Sequence, residues 1–136
     1  MAIIRRGALR IVHSFTSDCL RVDGDGNVVC VAADGLAESG WCIQEIEDDS
    51  VNLVHEPSGR LLRAHGRSVI CETPINTIDT CYVWRLMSTG TLGRYHLETA
   101  DYRKRLYVDA FGAVGVVPSY VAVAFGAVNQ SWSLQP

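Results

Sequence analysis

The sequence predicts an all-β fold of twelve short strands in three pseudo-symmetric repeats, and three observations carry that prediction. One is internal repetition. Leu9-Arg-Ile-Val-His13 recurs as Val51-Asn-Leu-Val-His55, and Cys19-Leu20-Arg21 recurs as Leu61-Leu62-Arg63 and then, with altered ends, as Arg105-Leu106-Tyr107. Another is the close of each copy on tryptophan, any residue and an aliphatic: Trp41-Cys-Ile43, Trp84-Arg-Leu86 and Trp132-Ser-Leu134. The last is the period: apolar residues alternate by two, and a 3.6-residue period never persists for three turns. A unit recurring every forty or so residues is one supersecondary element, which buries its apolar face only against its copies.

In the first copy, Leu9-Arg-Ile-Val-His-Ser-Phe15 alternates as a strand and Thr16-Ser-Asp18 turns it. Cys19 to Val22 and Val28 to Val31 then form a hairpin around Asp23-Gly-Asp-Gly-Asn27, where glycine accepts positive φ. A longer loop leads to the strand of Trp41. The second copy repeats the plan: strand Ser50 to His55, turn Glu56-Pro-Ser-Gly59, strand Arg60 to Ala64, turn His65-Gly-Arg67, strand Ser68 to Glu72, then a loop to Trp84. The third runs through a strand at His96-Leu97, turn Ala100 to Lys104, strand Arg105 to Asp109, turn Ala110-Phe-Gly112, strand Ala113 to Val117 and a loop to Trp132. One domain over 1–136 is expected, with repeats at about 7–47, 48–91 and 92–136.

Four strands in each of three copies, each copy closed by an aromatic plug, look like the β-trefoil, a six-stranded barrel capped by three hairpins. Closure of that kind removes sheet edges. The three tryptophans and Leu20, Leu62 and Leu106 are then expected as symmetry-related core layers. Asn129-Gln-Ser-Trp132-Ser-Leu134 resembles the Gln-any-Trp signature of ricin-B-type lectin repeats, in the third copy alone; the others read Ser39-Gly-Trp41 and Tyr82-Val-Trp84. Cys19-Leu20-Arg21-Val22 is similar to that family's Cys-Leu-Asp-Val, with Arg21 in place of the sugar-binding aspartate and Arg63 and Tyr107 there in the other copies. The segment Val51-Asn-Leu, Gly59-Arg-Leu-Leu62, Val69 and Trp84 resembles fascin-like and hisactophilin-like trefoils, and Glu56-Pro-Ser-Gly-Arg-Leu-Leu-Arg63 resembles arabinose-binding trefoil modules of glycosidases. Such residues report fold rather than activity.

Hydrophobic residues are 48% and charged residues 20% of the 136, so the chain is globular. A net charge of −3 argues against a sequence-independent grip on phosphate backbones, despite Arg5-Arg6 and Arg103-Lys104-Arg105, and no nucleic-acid partner is expected. No stretch approaches the ~20 apolar residues that span a bilayer, so no membrane insertion is expected. Five cysteines with no visible signal sequence imply reduced thiols and a cytoplasmic location. Cys30 and Cys71 occupy one repeat position where the third copy has Val116, which reads as an apolar core site.

Asp23-Gly-Asp-Gly-Asn27 lacks the terminal glutamate and flanking helices of a calcium loop and reads as a hairpin turn. His13 and His55 are one repeat position seen twice, so they form no compact ligand set, and neither metal nor cofactor is expected. No nucleophile elbow, HExxH or phosphate-cradling loop is present. The acidic run Glu45, Glu47, Asp48 and Asp49 reads as a solvated connector.

The expected function is therefore a non-enzymatic, lectin-like one, with a glycan or glycoprotein as partner. A shallow sugar pocket needs an aromatic face and a few polar groups for hydroxyls. The third copy offers Tyr120 to stack, Asp109 to accept hydroxyl hydrogen bonds, and Asn129 with Gln130 before the tryptophan. The alternative is a protein-interaction trefoil: a fascin-like actin binder, or a protease inhibitor presenting Glu72-Thr-Pro-Ile-Asn-Thr-Ile-Asp79.

Overall fold

The alternation read along each repeat becomes strand in the computed structural model, which describes residues 5–32, 40–47, 50–74, 80–101, 103–109, 112–118 and 130–135. Repeat one supplies β1 (Arg5–His13), β2 (Cys19–Val22), β3 (Val28–Val31) and β4 (Trp41–Glu47). Repeat two supplies β5 (Ser50–His55), β6 (Arg60–His65), β7 (Ser68–Glu72) and β8 (Trp84–Ser88), with a 3₁₀ turn at Thr80–Tyr82 before β8. Repeat three supplies β9 (Tyr95–Thr99), β10 (Lys104–Val108), β11 (Val114–Pro118) and β12 (Trp132–Gln135). β1 begins earlier than its alternation suggests because Arg5 and Arg6 pair with Gln44 and Ile43 of β4, so ladder partners rather than pattern extend it. Among the described residues no helix is long and apolar enough to cross a membrane.

The first and last strands of each repeat close a ring. β1 pairs β4, β4 pairs β5, β5 pairs β8, β8 pairs β9, β9 pairs β12, and β12 returns to β1. The second and third strands of each repeat form a hairpin hung on its first strand, at Val12↔Cys19, Val54↔Leu61 and Glu98↔Arg105. A closed six-stranded ring carrying three hairpins is the β-trefoil.

The core is built in threefold sets. Trp41, Trp84 and Trp132 are fully buried, and each indole N–H donates to a leucine carbonyl of its own repeat: Leu20 at 3.0 Å, Leu62 at 3.0 Å and Leu106 at 3.4 Å. A buried indole needs such an acceptor, and the hairpin strand provides it at a fixed register. Those leucines are themselves buried, together with Ile11, Leu53 and Leu97. Cys30, Cys71 and Val116 fill one core position, and burial pushes both thiols up to about 12, so they are small apolar side chains here.

The hairpins also lock to one another in a cycle. Cys71 N–H in repeat two donates to Gly26 O of the first hairpin, Val116 N–H in repeat three to Arg67 O of the second, and Cys30 N–H in repeat one to Gly112 O of the third. The approach is close enough that a Cβ on Gly26 or Gly112 would lie 3.2 Å from the carbonyl oxygen of Cys71 or Cys30. Both glycines are left-handed, with φ of 85° and 83°.

Candidate functional site

Since Leu62 and Cys71 point into the core, their neighbours Arg63, Ile70 and Glu72 stand on the opposite face of the β6–β7 hairpin. Leu61 shares that face and joins a second apolar cluster with Cys42, Val54 and Tyr82. Arg63 and Glu72 lie diagonally across the ladder, and Arg63 Nη1 donates to Glu72 Oε1 at 2.5 Å. The 3₁₀ turn brings in Tyr82, whose hydroxyl donates to the same oxygen at 2.7 Å, while the guanidinium lies 6.0 Å over its ring.

These contacts settle the charges. The Tyr82 hydroxyl, with Arg63 beside it, holds the Glu72 carboxyl below the usual glutamate value. Burial, then the hydrogen bond to Glu72, pushes the Tyr82 phenol up to about 12. The Arg63 and Glu72 side chains remain 31% and 33% exposed, so the pair is reachable from solvent. Among the described residues Glu72 Oε2 makes no hydrogen bond, and the buried Arg63 Nε has no acceptor. A fixed carboxylate oxygen beside fixed guanidinium donors is an acceptor–donor pair of the kind that engages two adjacent hydroxyls.

The repeat-equivalent faces differ. In repeat one, Arg21, Val22, Asp23, Gly24, Val29 and Val31 line a shallow cleft of about 310 Å³. In repeat three, Tyr107 pairs with Gly115 and lies across it; a Cβ there would meet Tyr107 Cε1 at 3.0 Å. Arg105 of that repeat donates to Glu98 Oε2 through Nη2 at 3.0 Å and Nε at 3.3 Å, and to Gln130 Oε1 through Nη1 at 3.0 Å.

Of the four residues expected to contact sugar, Tyr120 and Asn129 lie outside the described residues. Asp109 is exposed, and its Oδ1 accepts the Ala113 N–H at 2.9 Å across its hairpin turn. Asp23 does the same for Asn27 in the first repeat, so both carboxylates staple a turn. Gln130 is only 1% exposed, and Arg105 holds its amide oxygen. The structure therefore joins Gln130 to Arg105, which also holds Glu98. The sequence reading missed Glu72 and Tyr82 as partners of Arg63. The signal for Glu72 was present: with Leu62 and Cys71 both core-facing, Arg63 and Glu72 must share the outer face. Of the loop considered for protease inhibition, Glu72, Thr73 and Pro74 are described and 75–79 lie outside.

Two of the histidines brace turns. His13 Nδ1 bonds Thr16 Oγ1 at 2.9 Å and His55 Nδ1 bonds Ser58 Oγ at 2.8 Å, both rings being buried. Repeat three has Thr99 there, whose hydroxyl donates to Asp101 O and accepts from Lys104 N–H.

No protein-family model matches the chain, and no curated protein matches it by sequence. Solved structures do match its fold. The designed threefold-symmetric protein ThreeFoil is 24% identical with a TM-score of 0.79, over 94% of this chain and 97% of that one. SeviL, solved bound to the asialo-GM1 saccharide, is 14% identical with a TM-score of 0.75, over 98% and 97%. The exo-β-1,3-galactanase 1,3Gal43A from Clostridium thermocellum is 19% identical with a TM-score of 0.77, over 93% of this chain but 29% of that enzyme. At these identities the likeness is one of fold.

Proposed function

We propose that this β-trefoil is a non-enzymatic carbohydrate-binding protein whose best-formed site is the Arg63–Glu72–Tyr82 cluster of repeat two. The observation that carries the reading is the pre-set carboxylate–guanidinium pair, one-third exposed, at the repeat position where lectin-type trefoils hold their sugar-binding aspartate. The chemistry is transferred rather than lost: Arg63 replaces the aspartate, and the acceptor returns across the hairpin as Glu72. Glu72 Oε2 takes one hydroxyl hydrogen, the guanidinium gives N–H to the neighbouring hydroxyl oxygen, and the half-buried Ile70 offers an apolar patch to the sugar ring. The structural neighbour SeviL, bound to a saccharide, supports this use of the scaffold. The competing reading is the repeat-three set expected from the sequence, Asp109, Tyr120, Asn129 and Gln130.

The test is a glycan array read with the wild type, Glu72→Gln, and the pair Asp109→Ala and Tyr120→Ala. Loss of signal in Glu72→Gln alone assigns binding to repeat two. Loss only in the latter pair moves it to repeat three, and a wild type that is silent on the array while folded removes the carbohydrate reading.

A further inference from the structure

The seam where the first hairpin docks on the second contains a cleft of about 380 Å³, at the lower end of the 300–1,000 Å³ range of ligand sites. Asp25 and Asn27 line it from repeat one, and Arg60, Glu72 and Thr73 from repeat two. Its floor is rigid, because Cys71 N–H donates to Gly26 O at 3.1 Å and Asn27 bridges Ile70. Arg60 crosses the seam: its Nη1 lies 3.3 Å from the place a Gly26 Cβ would occupy. Glu72 belongs both to this cleft and to the Arg63–Tyr82 cluster, so the two are continuous.

The corresponding seams are built differently. Lys104, the repeat partner of Arg60, spends its ammonium on Gly66 O at 3.1 Å, and repeat one has Asp18 at that position. Among the described residues, the first seam has a guanidinium, that of Arg60, standing over the turn, and it makes no side-chain hydrogen bond there. The same cleft is lined by two carboxylates, Asp25 and Glu72, and by the neutral polar groups of Asn27 and Thr73. An anionic substituent would meet both carboxylates, whereas a neutral polyol uses donors and acceptors alike.

We infer that this cleft is a second saccharide subsite, so that the protein recognises a neutral glycan of at least two units, one on Arg63 and Glu72 and the next between Asp25, Arg60 and Thr73. The inference rests on the carbohydrate reading of the Arg63 site and adds to it the length and charge of the ligand. A pre-formed floor keeps the ordering cost of the second unit low.

The experiment is calorimetric titration with matched pairs: galactose and lactose, mannose and mannobiose, glucose and cellobiose. The proteins are the wild type and Asp25→Asn/Thr73→Val, whose changes leave the turn's backbone bonds in place. For one pair, the disaccharide is expected to bind the wild type about tenfold tighter than its monosaccharide, and the variant reduces that advantage to about twofold with monosaccharide affinity unchanged. A wild type that binds a monosaccharide with no gain from the second unit, or a variant that keeps the gain, overturns the second subsite and leaves the first. No binding of any of the six sugars overturns both.

Discussion

Trp132 meets His13 edge-on, ring centroids 5.4 Å apart and planes at 62°, and so joins the last strand of the barrel to the first. Trp41 and His55 make the same contact with the same distance and angle. The third such pair across the ring is Trp84 and Thr99. The imidazoles are thus part of the barrel seam, oriented by the turn hydroxyls of Thr16 and Ser58. Ser58→Ala removes the partner of a buried ring nitrogen and an acceptor for the Arg60 N–H. It is expected to lower unfolding stability by about 1–2 kcal/mol, measured by urea denaturation. A change below a few tenths would deny the seam role.

Each indole plug carries both volume and a hydrogen bond to a leucine carbonyl. Trp84→Ala is expected to lose about 3–5 kcal/mol, the range for large aromatic truncations. Trp41→Ala and Trp132→Ala are expected to fall in the same range, because all three rings are 0% exposed and bonded alike. Three unequal losses in chemical denaturation, one of them negligible, would break the threefold argument.

The cyclic docking of hairpins gives a prediction about glycine. Gly115 has no left-handed φ, yet an added Cβ would lie 2.7 Å from Arg67 O, a backbone atom that cannot swing aside. Gly66 is left-handed, φ 63°, but has open space around its Cβ position. Gly66→Ala is therefore expected to cost about 1 kcal/mol from backbone strain alone. Gly115→Ala is expected to cost more, since it also pushes apart the second and third hairpins where Val116 N–H meets Arg67 O. The order of the two melting temperatures checks this.

The repeated core was legible in the chain because repetition identifies it. Trp41, Trp84, Trp132 and the leucines at 20, 62 and 106 are named by recurrence before any pairing is known, and the Cys30, Cys71 and Val116 set follows from it. The candidate site was only partly legible, because function there sits where repeats differ. Arg63 stood out as a departure, but its bond to Glu72 depends on hairpin register and its bond to Tyr82 on a 3₁₀ turn that no periodicity announces. Gln130 reads two ways in the sequence, as the glutamine of a folding element that satisfies backbone groups and as a member of the third copy's sugar-binding set. Its amide oxygen is held by Arg105, a residue far away in sequence that no repeat pattern pairs with it.

Thiol reactivity offers a check on the core. Burial raises Cys19 above its usual value and Cys30 and Cys71 to about 12, whereas Cys81 is half-exposed. With a thiol-specific reagent at pH 8, Cys81 is expected to react first and Cys30 and Cys71 only on unfolding. The linkage has a definite sign. These thiols ionise at higher pH when folded than the value of 9.0 expected when unfolded, so their contribution is complete below pH 9 and is lost as pH rises from 9 towards 12. A double Cys30→Val/Cys71→Val variant should lose stability less steeply over that window.

The acid limb belongs to Glu72. Tyr82 and Arg63 hold its carboxyl below the usual value of 4.5, so the folded protein favours the carboxylate more than the unfolded chain does. That contribution is present above pH 4.5 and disappears as pH falls through the lowered folded value, because the unfolded chain takes up the proton first. Partial exposure of both Glu72 and Arg63 screens the effect, so a small shift of the acid unfolding midpoint is expected. Glu72→Gln removes the titration but keeps an oxygen for Tyr82 and Arg63, and should flatten the loss of stability as pH falls below 4.5 relative to wild type. Sugar binding, if it uses Glu72 Oε2, should fall over the same interval in the wild type. Chemical denaturation and calorimetric titration at stepped pH read the two curves separately; a binding curve that stays level while the stability curve falls would place the sugar elsewhere than on this carboxylate.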